Sequence, residues 1–211
     1  MTAWLFNLGA DIYAWFTAQA AWRESCARMA IRLAPIDPHT VIDLGCGPGV
    51  STFELKRNLP AARLIGVDLA PRMLSQARRR QGCSDVEWLR ADAAHLPLTQ
   101  HSVDACTGHS FLYLVEHRRA VLDEVRRVLR PGGRLVLMEP HTRPASLRTV
   151  LQVSRDPRHL VSVSLWRPFS RLHGRFSTQS LEQTLRSAGF LNVDVEETLG
   201  GLGLLACAIA P

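Results

Sequence analysis

The chain has 211 residues, 46% of them apolar and 21% charged, and a formal net charge of +6. That is ample for a buried core, yet no run approaches the roughly 18 apolar residues that a membrane span needs. Lys56 is the only lysine, so the positive excess is arginine, whose planar fork suits phosphate or carboxylate but also makes ordinary solvated surface. Cys26, Cys46, Cys83, Cys106 and Cys207 are odd in number, widely spaced and without a Cys-x-x-Cys pair, which argues against a disulfide framework and a zinc site. No metal is expected. The opening Met1-Thr2-Ala3-Trp4-Leu5-Phe6 has no basic segment and meets Asp11 too soon for a signal peptide, so a cytoplasmic location is expected.

Residues 3–34 read as one helix, with Trp4, Leu5, Leu8, Ile12, Trp15, Phe16, Gln19 and Trp22 near one face at steps of three and four. This is a helical cap, and its tryptophan stripe also fits a substrate lid or a helix lying in a membrane interface. Pro35-Ile36-Asp37-Pro38 ends it. Val41-Ile42-Asp43-Leu44 then reads as a buried strand, broken at once by Gly45-Cys46-Gly47-Pro48-Gly49, with a helix opening at Ser51. A strand, a glycine loop and a helix start mark a site for an adenosine-containing ligand at the strand's carboxyl end.

Further strands are expected at 63–68, 86–90, 102–108 and 134–138, and helices at 70–81 and 121–129, the latter stopped by Pro131-Gly132-Gly133. Alternating strands and helices give a parallel sheet with right-handed crossovers. A helix at 180–188 and strands at 192–197 and 204–210, separated by Leu199-Gly200-Gly201, suggest a final antiparallel hairpin. Residues 142–176 fit neither pattern. They carry Arg143, Arg148, Arg155, Arg158, Arg167, Arg171 and Arg175 among apolar residues, and read as a lid because so short a stretch cannot hold its own core. The fold class is therefore α/β: a Rossmann-like, doubly wound, mostly parallel seven-stranded sheet with a C-terminal antiparallel hairpin and an N-terminal helical cap. One domain is expected over 1–211, with cap 1–37, core 38–141, lid 142–176, and last helix and hairpin 177–211.

Asp68 ends the second strand, where a carboxylate can accept the hydroxyl protons of a bound ribose. The spacing Gly-x-Gly-x-Gly, with Asp43 two residues before it, resembles the first motif of the class I S-adenosylmethionine (SAM) methyltransferases. Asp92-Ala93-Ala94-His95-Leu96-Pro97 resembles the family's adenine-holding segment, Ser102-Val103-Asp104 its Ser-Phe-Asp, and Val128-Leu129-Arg130-Pro131-Gly132-Gly133-Arg134-Leu135 its turn into the fifth strand. The likeness spans about residues 38–140 and is nearest the small type-11 enzymes, including those that methylate ubiquinone and menaquinone precursors. Tyr13 and Trp22-Arg23 resemble a tyrosine and a Trp-basic pair in that group, although the group's own characteristic loops are not reproduced.

The resemblance implies SAM as cofactor and S-adenosylhomocysteine (SAH) as product. Gly45, Cys46, Gly47 and Gly49, beside Asp43, would line the methionine and ribose side. Asp68 would hold the ribose, Leu69 and Met73 would flank adenine, and Asp92 and Ala93 would read its edge. His109 lies at the fourth strand's carboxyl end, where the methionine part and the acceptor would meet. Asp104 reads as structural. Transfer from a sulfonium needs alignment first, and a base only where the nucleophile must lose a proton. His141 is the first candidate for that base, with His109, Tyr113 and Glu139 beside it, each also open to a structural or solvated role. The expected acceptor is a small molecule, with an apolar, quinone- or lipid-like one in view. Nucleic acid is not expected, because His109-Ser110-Phe111-Leu112 lacks the acidic or Asn residue followed by Pro-Pro-aromatic of amino-methylating enzymes. Peripheral membrane contact through the cap and the arginine-rich lid is a further expectation. The alternatives are an NAD-dependent oxidoreductase, a non-catalytic SAM-binding protein and, more weakly, nucleic-acid binding through the basic lid.

Overall fold

In strand β1 (Thr40–Leu44) the side chains alternate between two buried environments, as a strand covered on both faces requires. Ile42 and Leu44 join one core with Leu122, Val125, Leu181 and Leu185. Val41 joins the other with Met29, Leu33, Leu55 and Leu64. This computed structural model describes residues 9–211.

Strands β2 (Arg63–Asp68), β3 (Glu87–Arg90), β4 (Val103–His109), β5 (Leu129–Pro140), β6 (Leu191–Thr198) and β7 (Gly203–Ile209) complete a seven-stranded sheet of order β3-β2-β1-β4-β5-β7-β6. The ladders through β3, β2, β1, β4 and β5 are parallel. The β7 strand enters antiparallel between β5 and β6, as the expected hairpin. Chain order reverses between β1 and β4, and this opens a crevice at their carboxyl ends.

Among the described residues, α1 (Ala10–Thr17), α2 (Ala20–Leu33), α3 (Val50–Asn58), α4 (Pro71–Arg78), α5 (Arg118–Val128), α6 (Leu147–Val153), α7 (Pro157–His173) and α8 (Thr178–Ser187) surround the sheet. The single helix expected over 3–34 is two helices in its described part. Gln19 is extended (φ −70°, ψ 155°) and buried, and its side chain is held by His159 on α7, so α1 turns away from α2. Ile12 and Trp15 are consequently exposed, which breaks the expected apolar stripe; Trp4, Leu5 and Leu8 lie outside the described residues. The α4 helix stops at Arg78, short of 81, and Arg80 turns back to donate to the Pro48 carbonyl. The β5 strand begins ahead of the expected residue 134. Its ladder with β4 shifts register where the Pro131-Gly132-Gly133 excursion sits, and Gly132 N and Gly133 O bond instead to Ala210.

The stretch expected as a lid forms α6 and α7, capped by Ser146 and Asp156 respectively. Several of its arginines hold the fold. Buried Arg167 donates to the carbonyls of His141 and Arg143, Arg175 donates to Ser170 and the Arg167 carbonyl, and Arg143 pairs with Glu197 at 2.7 Å. Asp104 is structural as expected: it accepts the Thr40 amide at 2.8 Å and pairs with Arg130.

Candidate functional site

The loop after β1 is held from both sides. Below it, buried Asp43 accepts hydroxyl protons from Ser51 (2.6 Å), Thr52 (2.6 Å) and Thr107 (3.0 Å). Burial raises the Asp43 carboxyl above its ordinary range, and these three bonds oppose that shift. Above it, Asp68 accepts the Gly47 amide at 2.9 Å and the Ala70 amide at 2.7 Å. Burial raises this carboxyl too, against the same amide bonds.

The two glycines differ in kind. Gly47 has φ +53°, and a Cβ there would meet Tyr13 at 3.7 Å, an ordinary van der Waals contact. At Gly49, φ +78°, a Cβ would meet Trp88 at 3.0 Å and Ala77 at 3.1 Å, so this position is closed by packing. Cys46 is buried beside the loop, with its thiol pushed well up by burial.

A cavity of about 850 Å³ opens over the carboxyl ends of β1 to β4. Seven of the sequence-predicted cofactor residues line it: Gly45, Gly47, Asp68, Leu69, Met73, Asp92 and Ala93. Asp43, Cys46, Gly49 and His109 do not; they lie beneath or beside it. Asp92 accepts the Ala94 amide at 3.0 Å through one oxygen, and its other oxygen lies 3.9 Å from His95 Nδ1. The sequence places the segment 108–114 at the end of β4 but singles out only His109 and Tyr113 from it; Ser110 and Phe111 reach the wall through the turn after β4, where Ser110 adopts φ +51° and its amide donates to Met138 O at 2.6 Å. Among the described residues no Lys or Arg lines this cavity. Its charged lining is Asp68, Asp92 and Glu116, with His117 and His173 beside them.

The four candidate proton acceptors have different surroundings. Tyr113 lines the cavity, and burial pushes its hydroxyl above the ordinary phenol range. Glu139 is buried and accepts the amides of Phe111 (3.1 Å), Leu112 (2.7 Å) and Tyr113 (3.1 Å), which anchors the turn after β4. Burial raises its carboxyl to about 7 in spite of those bonds. His109 is buried, bonded through Nε2 to Ser25 Oγ at 2.7 Å, and burial lowers its imidazole to about 3, so it is neutral. His141 is buried away from the cavity, with Nδ1 on the Gly201 carbonyl at 3.1 Å. Trp22 joins this region into an aromatic wall, its ring 4.5 Å from His109, 6.2 Å from Tyr13 and 6.5 Å from Trp166.

The residues present suit a cationic adenosine-type ligand. Acids line the wall, and among the described residues no arginine or lysine is there to meet a pyrophosphate.

Comparison with known proteins gives the same direction. The model of a methyltransferase domain matches residues 41–133. A demethylmenaquinone methyltransferase of Clavibacter sepedonicus is 32% identical over 200 residues, 90% of this chain and 80% of that protein. One from Thermus thermophilus is 38% identical over 127 residues, 59% of this chain and only 56% of its own length. The plantazolicin methyltransferase BpumL, solved in complex with SAH, shares the fold at 12% identity, with a TM-score of 0.71 over 99% of this chain and 97% of that one. The glycine loop, the sheet order with its inserted β7 and the extended match to the Clavibacter protein converge, and the chain belongs to the class I SAM-dependent methyltransferase family.

Proposed function

We propose that the chain transfers a methyl group from SAM to a small, apolar acceptor. The observation that carries this reading is the acid-lined cavity at the switch between β1 and β4, with no Lys or Arg on it among the described residues. SAM is a sulfonium cation, whereas a nicotinamide dinucleotide carries two phosphates, so the lining favours the former over the oxidoreductase alternative.

In this reading Gly45 and Gly47 let the backbone lie against the methionine and ribose portion. Asp68 orients the loop through Gly47 and keeps lone pairs for the ribose hydroxyls. Leu69 and Met73 flank adenine, and Asp92 with Ala93 reads its edge. Bound SAM supplies an already activated methyl group with a neutral thioether as leaving group. What remains for the chain is to align the nucleophile and exclude water, tasks suited to the Tyr13, Phe111 and Tyr113 side chains on the wall. Neither His141, remote from the cavity, nor His109, too weakly basic, is suited to removing a proton there.

A quinone-like acceptor is supported by the aromatic wall around Trp22 and by the names of the Clavibacter and Thermus relatives. Approach to a membrane is supported by exposed Ile12 and Trp15 on α1 and Leu165 and Leu172 on α7, with Arg158 over the Trp15 ring at 5.9 Å. The deciding experiment is calorimetric titration with SAM and, separately, NADH, followed by mass spectrometry of quinol, phenol and lipid-headgroup panels incubated with SAM. SAM binding with one panel member gaining a methyl group supports the reading. SAM binding with no product favours a non-catalytic SAM-binding protein, and NADH binding without SAM binding overturns the assignment.

A further inference from the structure

Behind Ser110, which also lines the large cavity, lies a second one of about 40 Å³ between β4, α2 and α7. Two imidazoles from distant parts of the chain line it: His109 at the end of β4 and His159 in the first turn of α7. Both are more than nine-tenths buried, with relative exposures of 8% and 6%. Each has one ring nitrogen engaged, His109 Nε2 with Ser25 Oγ at 2.7 Å and His159 Nδ1 with Gln19 Oε1 at 3.0 Å. The other nitrogen of each ring, His109 Nδ1 and His159 Nε2, is buried without a partner among the described residues, as is the indole Nε1 of Trp166 on the same lining.

The partners determine the tautomers. Ser25 donates its hydroxyl proton to the Trp22 carbonyl at 2.7 Å, so toward His109 its oxygen accepts, and Nε2 carries the proton. Gln19 Oε1 only accepts, so His159 carries its proton on Nδ1. A neutral imidazole has one N–H, and the remaining nitrogen of each ring is therefore a lone pair. Two buried lone pairs on the lining of one cavity are unmatched acceptors, a combination that native interiors avoid unless water or a ligand supplies the donors.

The space is right for a small group. A single water needs about 10–15 Å³ of such volume, so this cavity admits a hydroxyl or amino group and no bulky substituent. A group that brings a donor matches the two lone pairs, whereas an oxygen that only accepts finds a donor in Trp166 Nε1 alone. Apolar contact is provided nearby by Trp22 and Val163.

We infer that this cavity binds the hydrogen-bond-donating end of the methyl acceptor, with His109 and His159 as its binding residues, so that the acceptor is a hydroxyl or amino compound on an apolar body. The inference rests on the methyltransferase reading for the identity of the ligand, while the donor preference comes from the two imidazoles alone.

The test uses the full chain, labelled with 15N in the histidine rings and mixed with excess SAH. It is titrated with phenol, aniline, anisole and benzoate while the imidazole nitrogen signals are followed by NMR. Phenol or aniline is expected to shift the lone-pair signals of His109 Nδ1 and His159 Nε2, and anisole and benzoate to leave them in place. A response to phenol alone or to aniline alone identifies the donor as hydroxyl or amine. His159→Leu is expected to weaken phenol binding about tenfold, the scale of one lost hydrogen bond, without altering SAH affinity, and His159→Gln to recover part of it. Should His159→Leu fail to fold, the shifts in the unsubstituted chain decide the matter. SAH binding with equal responses to phenol and anisole, or with none, overturns this inference alone and leaves the cavity to water. A histidine response to phenol without SAH binding supports the donor site and overturns the methyltransferase reading alone.

Discussion

Asp68 accepts the amide proton of Gly47 at 2.9 Å, and this bond makes the end of β2 a support for the glycine loop that follows β1. The carboxylate thus has a structural duty before any ligand arrives. Its second oxygen starts α4 by accepting from Ala70 at 2.7 Å.

Asp68→Ala leaves both amides without this acceptor and removes the proposed ribose contact. We expect a stability loss of about 1–3 kcal/mol in urea unfolding. Calorimetry should show SAM affinity falling by about 100-fold, more than the stability change alone explains, because two charge-assisted bonds to the ligand are lost. Asp68→Asn, which keeps one acceptor oxygen, is expected to fall between the two proteins. Unchanged SAM affinity in Asp68→Ala would remove the residue from the cofactor site.

Gly47→Ala and Gly49→Ala should separate binding from folding. Both place a side chain at positive φ, a strain of roughly 1–2 kcal/mol. At Gly47 the added methyl makes only an ordinary contact with Tyr13 at 3.7 Å, so the expected loss is chiefly in SAM affinity. At Gly49 it meets Ala77 and Trp88, so the expected loss is in thermal stability, about 2–4 kcal/mol in all, with overpacking added to strain. Equal losses of SAM affinity at equal stability would contradict this division.

Glu139 gives a pH signature. Burial raises its carboxyl from 4.5 to about 7, so the folded chain holds this proton more tightly than the unfolded chain does. Its contribution to stability is therefore fully present below pH 4.5 and is lost as pH rises through 7. At 1.36 kcal/mol per pH unit the amplitude is about 3 kcal/mol. Urea unfolding of the chain and of Glu139→Gln between pH 4.5 and 8 isolates it, since other carboxylates cancel in the difference. The advantage of the unsubstituted chain should shrink with rising pH; a flat difference would mean that Glu139 titrates alike in both states.

His141→Ala is expected to leave turnover at saturating substrates within about twofold, because the imidazole is held on the Gly201 carbonyl away from the cavity. The loss should instead appear as about 1–3 kcal/mol of stability, from a lost hydrogen bond and a buried void. A hundredfold fall in kcat with normal SAM binding would return His141 to the reaction.

The exposed apolar face of α1 and α7 predicts partition onto vesicles that contain phosphatidylglycerol, measured by co-sedimentation. Binding should weaken as salt rises, since arginine attraction to the headgroups is screened. Trp15→Ser combined with Leu165→Ser should abolish it without lowering SAM affinity.

The strands, the glycine loop and the placement of Asp68 and Asp92 at strand ends were legible in the sequence because they obey local rules. Short, mainly apolar runs mark β1 and β2, which are buried on both faces, and chain direction alone puts their carboxyl ends together. Tertiary contacts decided what local rules leave open. The break at Gln19 is stabilised by His159, 140 residues away, which no helical period can anticipate. Whether a histidine near a strand end meets the cavity depends on what packs over it: Gly201 takes His141, and Ser25 takes His109. The shared cavity of His109 and His159 likewise exists only because α7 closes over β4. Strand geometry is set by neighbours along the chain, whereas the exposure and partners of a polar side chain are set by neighbours across it.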